Sequence, residues 1–194
     1  MTFLPYVLIG VLLALIAAFM KTRYVSFWAQ DPDDYINHGP QFDIRERLNG
    51  PITCEGIIYG PTGRVSSRFT ARFDASWNGN VGIMKEVFHY DSGSVQNREW
   101  HLTLGNDGSI KAEAPDVIGV GTGQQKGSAV LLNYRIKLSE DAGGHVLDTT
   151  DWMYLMSNGS IMNRSQFRKF GIKVAELVAT MRPLEPSNPA IAGE

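Results

Sequence analysis

Apolar positions along this chain follow two regimes. From Met1 to Met20 no residue is charged, and Leu4, Val7, Leu8, Val11, Leu12, Leu15, Ile16 and Phe19 leave no polar face. About 20 such residues at 1.5 Å of rise each cross the hydrocarbon core of a bilayer. Lys21 and Arg23 stand directly behind the run, and Tyr24, Phe27 and Trp28 follow like an interfacial aromatic belt. The pattern predicts a membrane anchor helix over residues 1–23, with residues 4–20 in contact with lipid. A cleaved signal peptide fits less well, because the basic leading region, the short apolar core and the small-residue cleavage site are weak or missing. The two basic residues lie after the span and none precedes it, so the positive-inside rule favours a cytoplasmic domain.

Beyond residue 50 the period changes. Runs rich in β-branched and aromatic residues recur between Gly, Asn and Asp clusters, which is the signature of an all-β domain. The predicted strands are Thr53 to Tyr59, Arg64 to Trp77, Val81 to Tyr90, Val95 to Leu104, Ser109 to Ala114, Val117 to Thr122, Ala129 to Leu138, His145 to Met156 and Ser160 to Asn163. A helical turn from Ser165 to Lys169 and a closing strand from Ile172 to Met181 complete the set. Phe69, Ala71, Phe73, Ala75 and Trp77 alternate with polar neighbours, as do Val130, Leu132, Tyr134 and Ile136, so one face of each strand is buried and the other is wet. Residues 24–50 read as a linker with a short helical turn at Phe42 to Leu48, residues 51–182 as the β domain, and residues 183–194, with Pro183, Pro186 and Pro189, as a disordered tail. Sequential strands joined by short turns hide their edges most simply by closing. The expected fold is therefore an antiparallel up-and-down barrel of about 8–10 strands, of the kind that holds a small apolar ligand in lipocalins.

Turn chemistry sets the register and directs charges inward. If Asp91, Ser92 and Gly93 form a three-residue loop with Gly93 left-handed, Glu86 faces Arg98 and Met84 faces Trp100, all on the apolar face. If Asn158 and Gly159 form a two-residue turn, Met153 faces Arg164 and Asp151 lies diagonally from Arg164. A three-residue loop would instead set Trp152 opposite Arg164 as a cation–π pair. Buried charges are costly unless paired, so these groups either fix register or hold a ligand. In the second case Arg98 or Arg164 anchors the carboxylate or phosphate of an amphiphile whose chain lies along Phe88, Trp100, Met153 and Tyr154.

Composition narrows the choice. The 194 residues are 43% apolar and 20% charged with 20 Gly, enough for one domain with a sizeable core. Eighteen basic against twenty acidic residues give a net charge of -2, which removes the electrostatic basis for binding nucleic acid. The single cysteine, Cys54, excludes an internal disulfide and multi-cysteine zinc sites. The four histidines lack metal-ligand spacing, with His89 and His101 expected on the outer face. Glycines 119, 121, 123 and 127 only superficially resemble a phosphate loop, because Lys126 precedes the last of them and a strand follows. Neither a metal nor a cofactor is expected.

The segments "CEGIIYGPTG" from Cys54, "KEVFHYDSG" from Lys85, "REW" from Arg98, "APDVIG" from Ala114, "DWMYLMSNGSIMNRS" from Asp151 and "KFGIKVAEL" from Lys169 resemble the bacterial family "domain of unknown function 3833", from about Tyr35 to Arg182. Its members are described as lipoproteins. The resemblance implies envelope association, a lipocalin-like (calycin-like) barrel and recurrent polar residues at Glu86, Arg98, Asp116, Asp151, Asn163 and Arg164, with no assigned activity. It places the protein at the bacterial inner membrane, with a periplasmic barrel by analogy. Cys54 lies too far beyond the apolar run for lipid modification, so an uncleaved helix would serve instead. The expected interior site comprises Glu86, Arg98, Trp100, Asp116, Asp151, Trp152, Tyr154, Asn163 and Arg164, and the expected function is binding of a lipid or other acyl amphiphile. The alternatives are an enzyme using Glu86 or Asp151 with Arg98 or Arg164 on a lipid-like substrate, and a solidly packed assembly factor.

Overall fold

The computed structural model describes residues 3–184. An apolar helix α1 (Leu4–Tyr24) leads through two 3₁₀ turns (Phe27–Ala29 and Pro32–Tyr35) to a single helical turn α2 (Ile44–Arg47). Ten strands follow: β1 (Gly50–Tyr59), β2 (Val65–Asn78), β3 (Val81–Tyr90), β4 (Val95–Leu104), β5 (Ser109–Glu113), β6 (Gly121–Lys126), β7 (Ala129–Lys137), β8 (Val146–Leu155), β9 (Ile161–Lys169) and β10 (Ile172–Pro183). Each pairs antiparallel with its neighbours in sequence, and β1 pairs with β10. The result is the closed up-and-down barrel that the alternation predicts.

The alternating residues point as their pattern requires. Phe69, Ala71, Phe73 and Ala75 of β2 and Val130, Leu132, Tyr134 and Ile136 of β7 are buried in one core, while Thr70, Arg72, Asp74 and Arg135 face solvent. Gly56 in β1 makes room for its neighbour, because a Cβ there would come within 2.4 Å of the Phe69 ring.

Three local expectations are corrected. Val117 to Thr122 is mostly a connection: Val117 forms one bridge to Ile136, Ile118 N–H donates to Arg135 O at 2.8 Å, and the strand itself is Gly121–Lys126. Ser165 to Lys169 is not a helical turn. β9 continues to Lys169 because Ile161, Asn163, Ser165 and Phe167 alternate inward between β8 and β10, and the break falls at Phe170–Gly171, both with positive φ (53° and 79°). Left-handed backbone costs a non-glycine residue roughly 1–2 kcal/mol, so Phe170 is a strained choice for this tight turn. The β8–β9 loop follows the three-residue alternative, with Met156 N–H donating to Ser160 O and Gly159 left-handed, so Met153 faces Asn163 and Trp152 faces Arg164. Of the expected tail, Pro183 ends β10, and Pro186 and Pro189 lie outside the described residues.

The two ends of the barrel differ. At the end where β1 begins, the chain crosses the opening and buries Phe42, Ile44 and Leu48 in the core as a plug. Phe42 N–H donates to Gly127 O (2.8 Å), Ile44 N–H to Gln125 Oε1 (2.9 Å) and Trp77 Nε1 to Leu48 O (2.7 Å). Gly127 is required there: its φ is +54°, and a Cβ would lie 1.8 Å from Tyr35 O. The opposite end, where the β1–β2, β3–β4, β7–β8 and β9–β10 turns gather, is ringed by the half-buried residues Ile58, Tyr90, Leu138, Phe167 and Leu177.

Between α1 and the plug, residues 27–35 lie along the outer wall as a strap. Phe27, Ala129 and Trp152 form a second, smaller core with Tyr35 and Tyr154 packed against it. Phe42→Ala removes a ring that is 1% exposed and is expected to lower stability by about 3–5 kcal/mol, whereas Val81→Ala on the outer wall changes it by less than about 0.5 kcal/mol. Urea unfolding of the two detergent-solubilised variants checks the contrast.

Candidate functional site

The three-residue turn at Asp91, Ser92 and Gly93 pairs Glu86 with Arg98 and Met84 with Trp100, as its residues predict. Period-2 alternation then carries both charges into the barrel. Arg98 donates from Nε to Asp116 Oδ1 at 3.0 Å, and its guanidinium carbon lies 4.1 Å from the centre of the Trp100 ring and 5.6 Å from that of Tyr134. Asp116 reaches the group from the β5–β6 connection, which Lys137 N–H holds by donating to Asp116 O at 2.8 Å.

Across the interior, Asp151 of β8 accepts hydrogen bonds from Asn163 Nδ2 and, at 2.8 Å, from Ser165 Oγ, both on β9. Asn163 Nδ2 also donates to Trp152 O at 3.0 Å. These groups line a cavity of about 210 Å³ whose remaining wall is largely apolar, running from Ile44 and Leu48 at the plug to Phe88, Tyr90 and Leu138 at the open end. Two buried polar atoms on this wall have no hydrogen-bond partner: Glu86 Oε2 and Arg98 Nη2.

Burial sets the ionisation of the cluster. It pushes Glu86 up to about 7 against the pull of Arg98, with Asp151 and Asp116 adding to the rise. Asp151 is raised by burial, although its bonds from Asn163 and Ser165 work the other way. Burial and the nearby Asp151 raise the Tyr134 phenol. For Arg98 burial opposes the charge, yet Tyr134, Glu86 and Asp116 together hold it above its ordinary value. Cys54, also on the cavity wall, is pushed up to about 12 by burial, then by Glu86. One cation therefore sits among three carboxyl groups, and its Nε already serves one of them. An anionic head would meet carboxyl groups on both sides of the cavity, whereas an uncharged group that both donates and accepts would suit Glu86 Oε2 and Arg98 Nη2.

The expected site divides in two. Glu86, Arg98, Trp100, Asp151 and Asn163 line the cavity, and Asp116 joins them through Arg98. Trp152, Tyr154 and Arg164 do not belong to the interior: Trp152 and Tyr154 alternate along β8 with the inward Asp151 and Met153, and the three-residue β8–β9 loop sets Arg164 opposite Trp152 on the outer face. There Trp152 is buried under Phe27 and Tyr35, Tyr154 OH donates to Gln30 Oε1 at 2.6 Å, and Arg164 pairs with Glu176 at 2.6 Å over the Phe27 ring. Arg164 thus meets neither Asp151 nor Trp152 in the expected way. The residues missed are Tyr134, whose place in the β7 alternation shows only a core aromatic, and Ser165, hidden by the helical reading of its segment.

A family model described as "Protein of unknown function (DUF3833)" matches residues 22–183. No curated protein matches the chain. Among solved structures, the barrel is similar to the S-type phycobiliprotein lyase CPES from Guillardia theta, with a TM-score of 0.56 and 10% identity over 74% of this chain and 92% of that one. It is similar also to Rv2717c from M. tuberculosis, with a TM-score of 0.52 and 13% identity over 71% of this chain and 93% of that one. At these identities the likeness shows the fold.

Glu86 makes stability depend on pH. Its proton is held more tightly in the folded chain, near 7, than at its ordinary 4.5, so its contribution is complete below about pH 4.5 and is lost as pH rises through about 7. The expected loss is about 3 kcal/mol, with Asp151 acting in the same direction. Urea midpoints between pH 5 and pH 8 should fall in the native chain and fall less in Glu86→Gln, where Asp151 alone remains.

Proposed function

The chain belongs to the family of proteins of unknown function DUF3833, and from that premise we propose that it is a membrane-tethered binding module whose barrel takes up a single-chain amphiphile with an uncharged polar head. The observation that carries this reading is the pair of unpartnered buried atoms, Glu86 Oε2 and Arg98 Nη2, on the wall of an otherwise greasy cavity. Leaving buried polar atoms unpaired costs about 1–3 kcal/mol each, and a hydroxyl or amide placed between them recovers that loss. The volume of about 210 Å³ exceeds the ~150 Å³ apolar cavity that holds one benzene and falls below the ~300–1,000 Å³ of sites for drug-sized ligands. A two-chain lipid does not fit, but one chain or its end does.

α1 supports the tether, having the length and hydropathy to cross a bilayer and none of its apolar window buried. Lys21 and Arg23 behind it favour a cytoplasmic barrel at the bacterial inner membrane. Glu86 near neutrality could exchange protons, but the neighbouring Cys54 thiol is pushed up to about 12 and Ser165 is tied to Asp151, so neither accompanies it as an activated nucleophile. Binding is the reading these groups support.

Native mass spectrometry of the full chain released from detergent tests it, before and after incubation with 1-decanol. A bound chain or alcohol is expected on the native protein. Arg98→Lys keeps the charge beside Asp116 but loses Nη2, and should weaken decanol binding about tenfold or more. Leu138→Trp, which narrows the open end, should abolish binding while leaving the fold intact. Bare protein under all these conditions would overturn the reading.

A further inference from the structure

The β9–β10 turn carries an apolar tip with nothing over it: Phe170 is 90% exposed and Ile172 70%. Phe170 sits there despite its left-handed backbone (φ 53°), in a turn that an asparagine would form with less strain. Packing inside the protein does not account for the ring.

Its neighbour does. The turn stands beside the last turns of α1, and Phe19, Thr22 and Arg23 of the helix share a groove with Trp28, Arg168 and Gly171. Arg168 joins the two parts, donating from Nη1 to Gly171 O at 2.8 Å while its guanidinium carbon lies 4.5 Å from the centre of the Trp28 ring. The tip therefore sits level with the end of the apolar run and the residues that follow it, where a spanning helix leaves the hydrocarbon. Lys169 and Lys173 flank it, and Tyr24 and Trp28 are exposed nearby. Apolar and aromatic side chains bordered by lysines suit the headgroup boundary of a bilayer. The same end of the barrel is the open one, since the plug of Phe42, Ile44 and Leu48 closes the other.

We propose that the β9–β10 tip inserts into the bilayer surface beside α1 and turns the open end of the barrel toward the lipid, so that a ligand passes from membrane to cavity without crossing water. This rests on α1 as a membrane span and gives the proposed cavity its source of ligand.

Spin labels on single cysteines in the full chain, reconstituted in phosphatidylcholine vesicles, test the geometry. The buried Cys54 thiol stays unlabelled, so Phe170→Cys, Leu13→Cys and Asn158→Cys each report one position. Position 13 lies in the apolar run and position 158 in the β8–β9 loop at the plugged end. The expected result is that the label at 170 behaves like that at 13, colliding with dissolved oxygen in preference to a water-soluble nickel complex, with a ratio several-fold above that at 158. A label at 170 that tracks 158 while 13 stays in lipid would overturn the orientation and leave the anchor standing. A label at 13 that meets the nickel complex would overturn the anchor, and the orientation with it. Shielding of 170 from both reagents would mean that protein covers the tip, and would overturn lipid contact. None of these outcomes depends on decanol binding, so the two proposals fail separately.

Discussion

The seam between β1 and β10, from Ile52 opposite Pro183 to Tyr59 opposite Glu176, is the pairing on which the rest of the protein depends. A sheet of ten sequential strands left open would expose two rows of unpaired backbone groups and could coil to any degree. Once the first and last strands pair, the sheet has an inside, and the alternation of each strand becomes a choice between core and water. Glu55 strengthens the seam from outside, accepting from Thr180 Oγ1 at 2.9 Å and from Arg182 Nη1 at 2.7 Å. The pairing joins opposite ends of the domain in sequence, which places the protein among those whose folding waits on distant contacts.

Closure also traps charge. Inside a tube of Phe, Leu, Ile and Met, the chain places Arg98 with Glu86, Asp116 and Asp151, a group that a wholly apolar core of the same shape would outdo in stability. The pairing among these groups is incomplete. Asp116 satisfies one edge of the guanidinium, Asn163 and Ser165 satisfy Asp151, and Glu86 keeps an oxygen without a donor. On the β3–β4 side such a network on the wall of open space is poorly explained as a register device, because the Asp91–Gly93 turn already fixes the pairing of Glu86 with Arg98.

Much of this is legible in the chain because local chemistry and global shape agree there. Asp91, Ser92 and Gly93 allow one loop, and from it Glu86 and Arg98 fall opposite each other. Asn158 and Gly159 allow two loops, and the shorter one carries Arg164 to the inner face opposite Met153. Trp152 and Tyr154 lie on the outer face in either register, because they alternate with Asp151 and Met153. That outer face is itself buried under Phe27 and Tyr35, so in hydrophobicity alone it resembles an inner one. β6 is hard to see in the sequence because two of its inward residues, at 121 and 123, are glycines: a Cβ on Gly123 would lie 2.6 Å from Leu132 Cδ2, so the strand gives up side chains to admit those of β7. The Val117 to Val120 stretch imitates a strand in its place. In β9, Phe167 and Phe170 sit at helical spacing for unrelated reasons, one lining the interior and the other capping a turn.

The strap from Phe27 to Tyr35 bears on how the domain moves. Only Val25 and Ser26 separate the end of α1 from the first residue packed on the wall, and the same stretch of chain runs on to become the plug. The barrel is thus mounted on a bracket and not on a leash. So short a joint restricts how far the barrel swings away from its helix, and a tilt of the helix bears on the orientation of the body it carries.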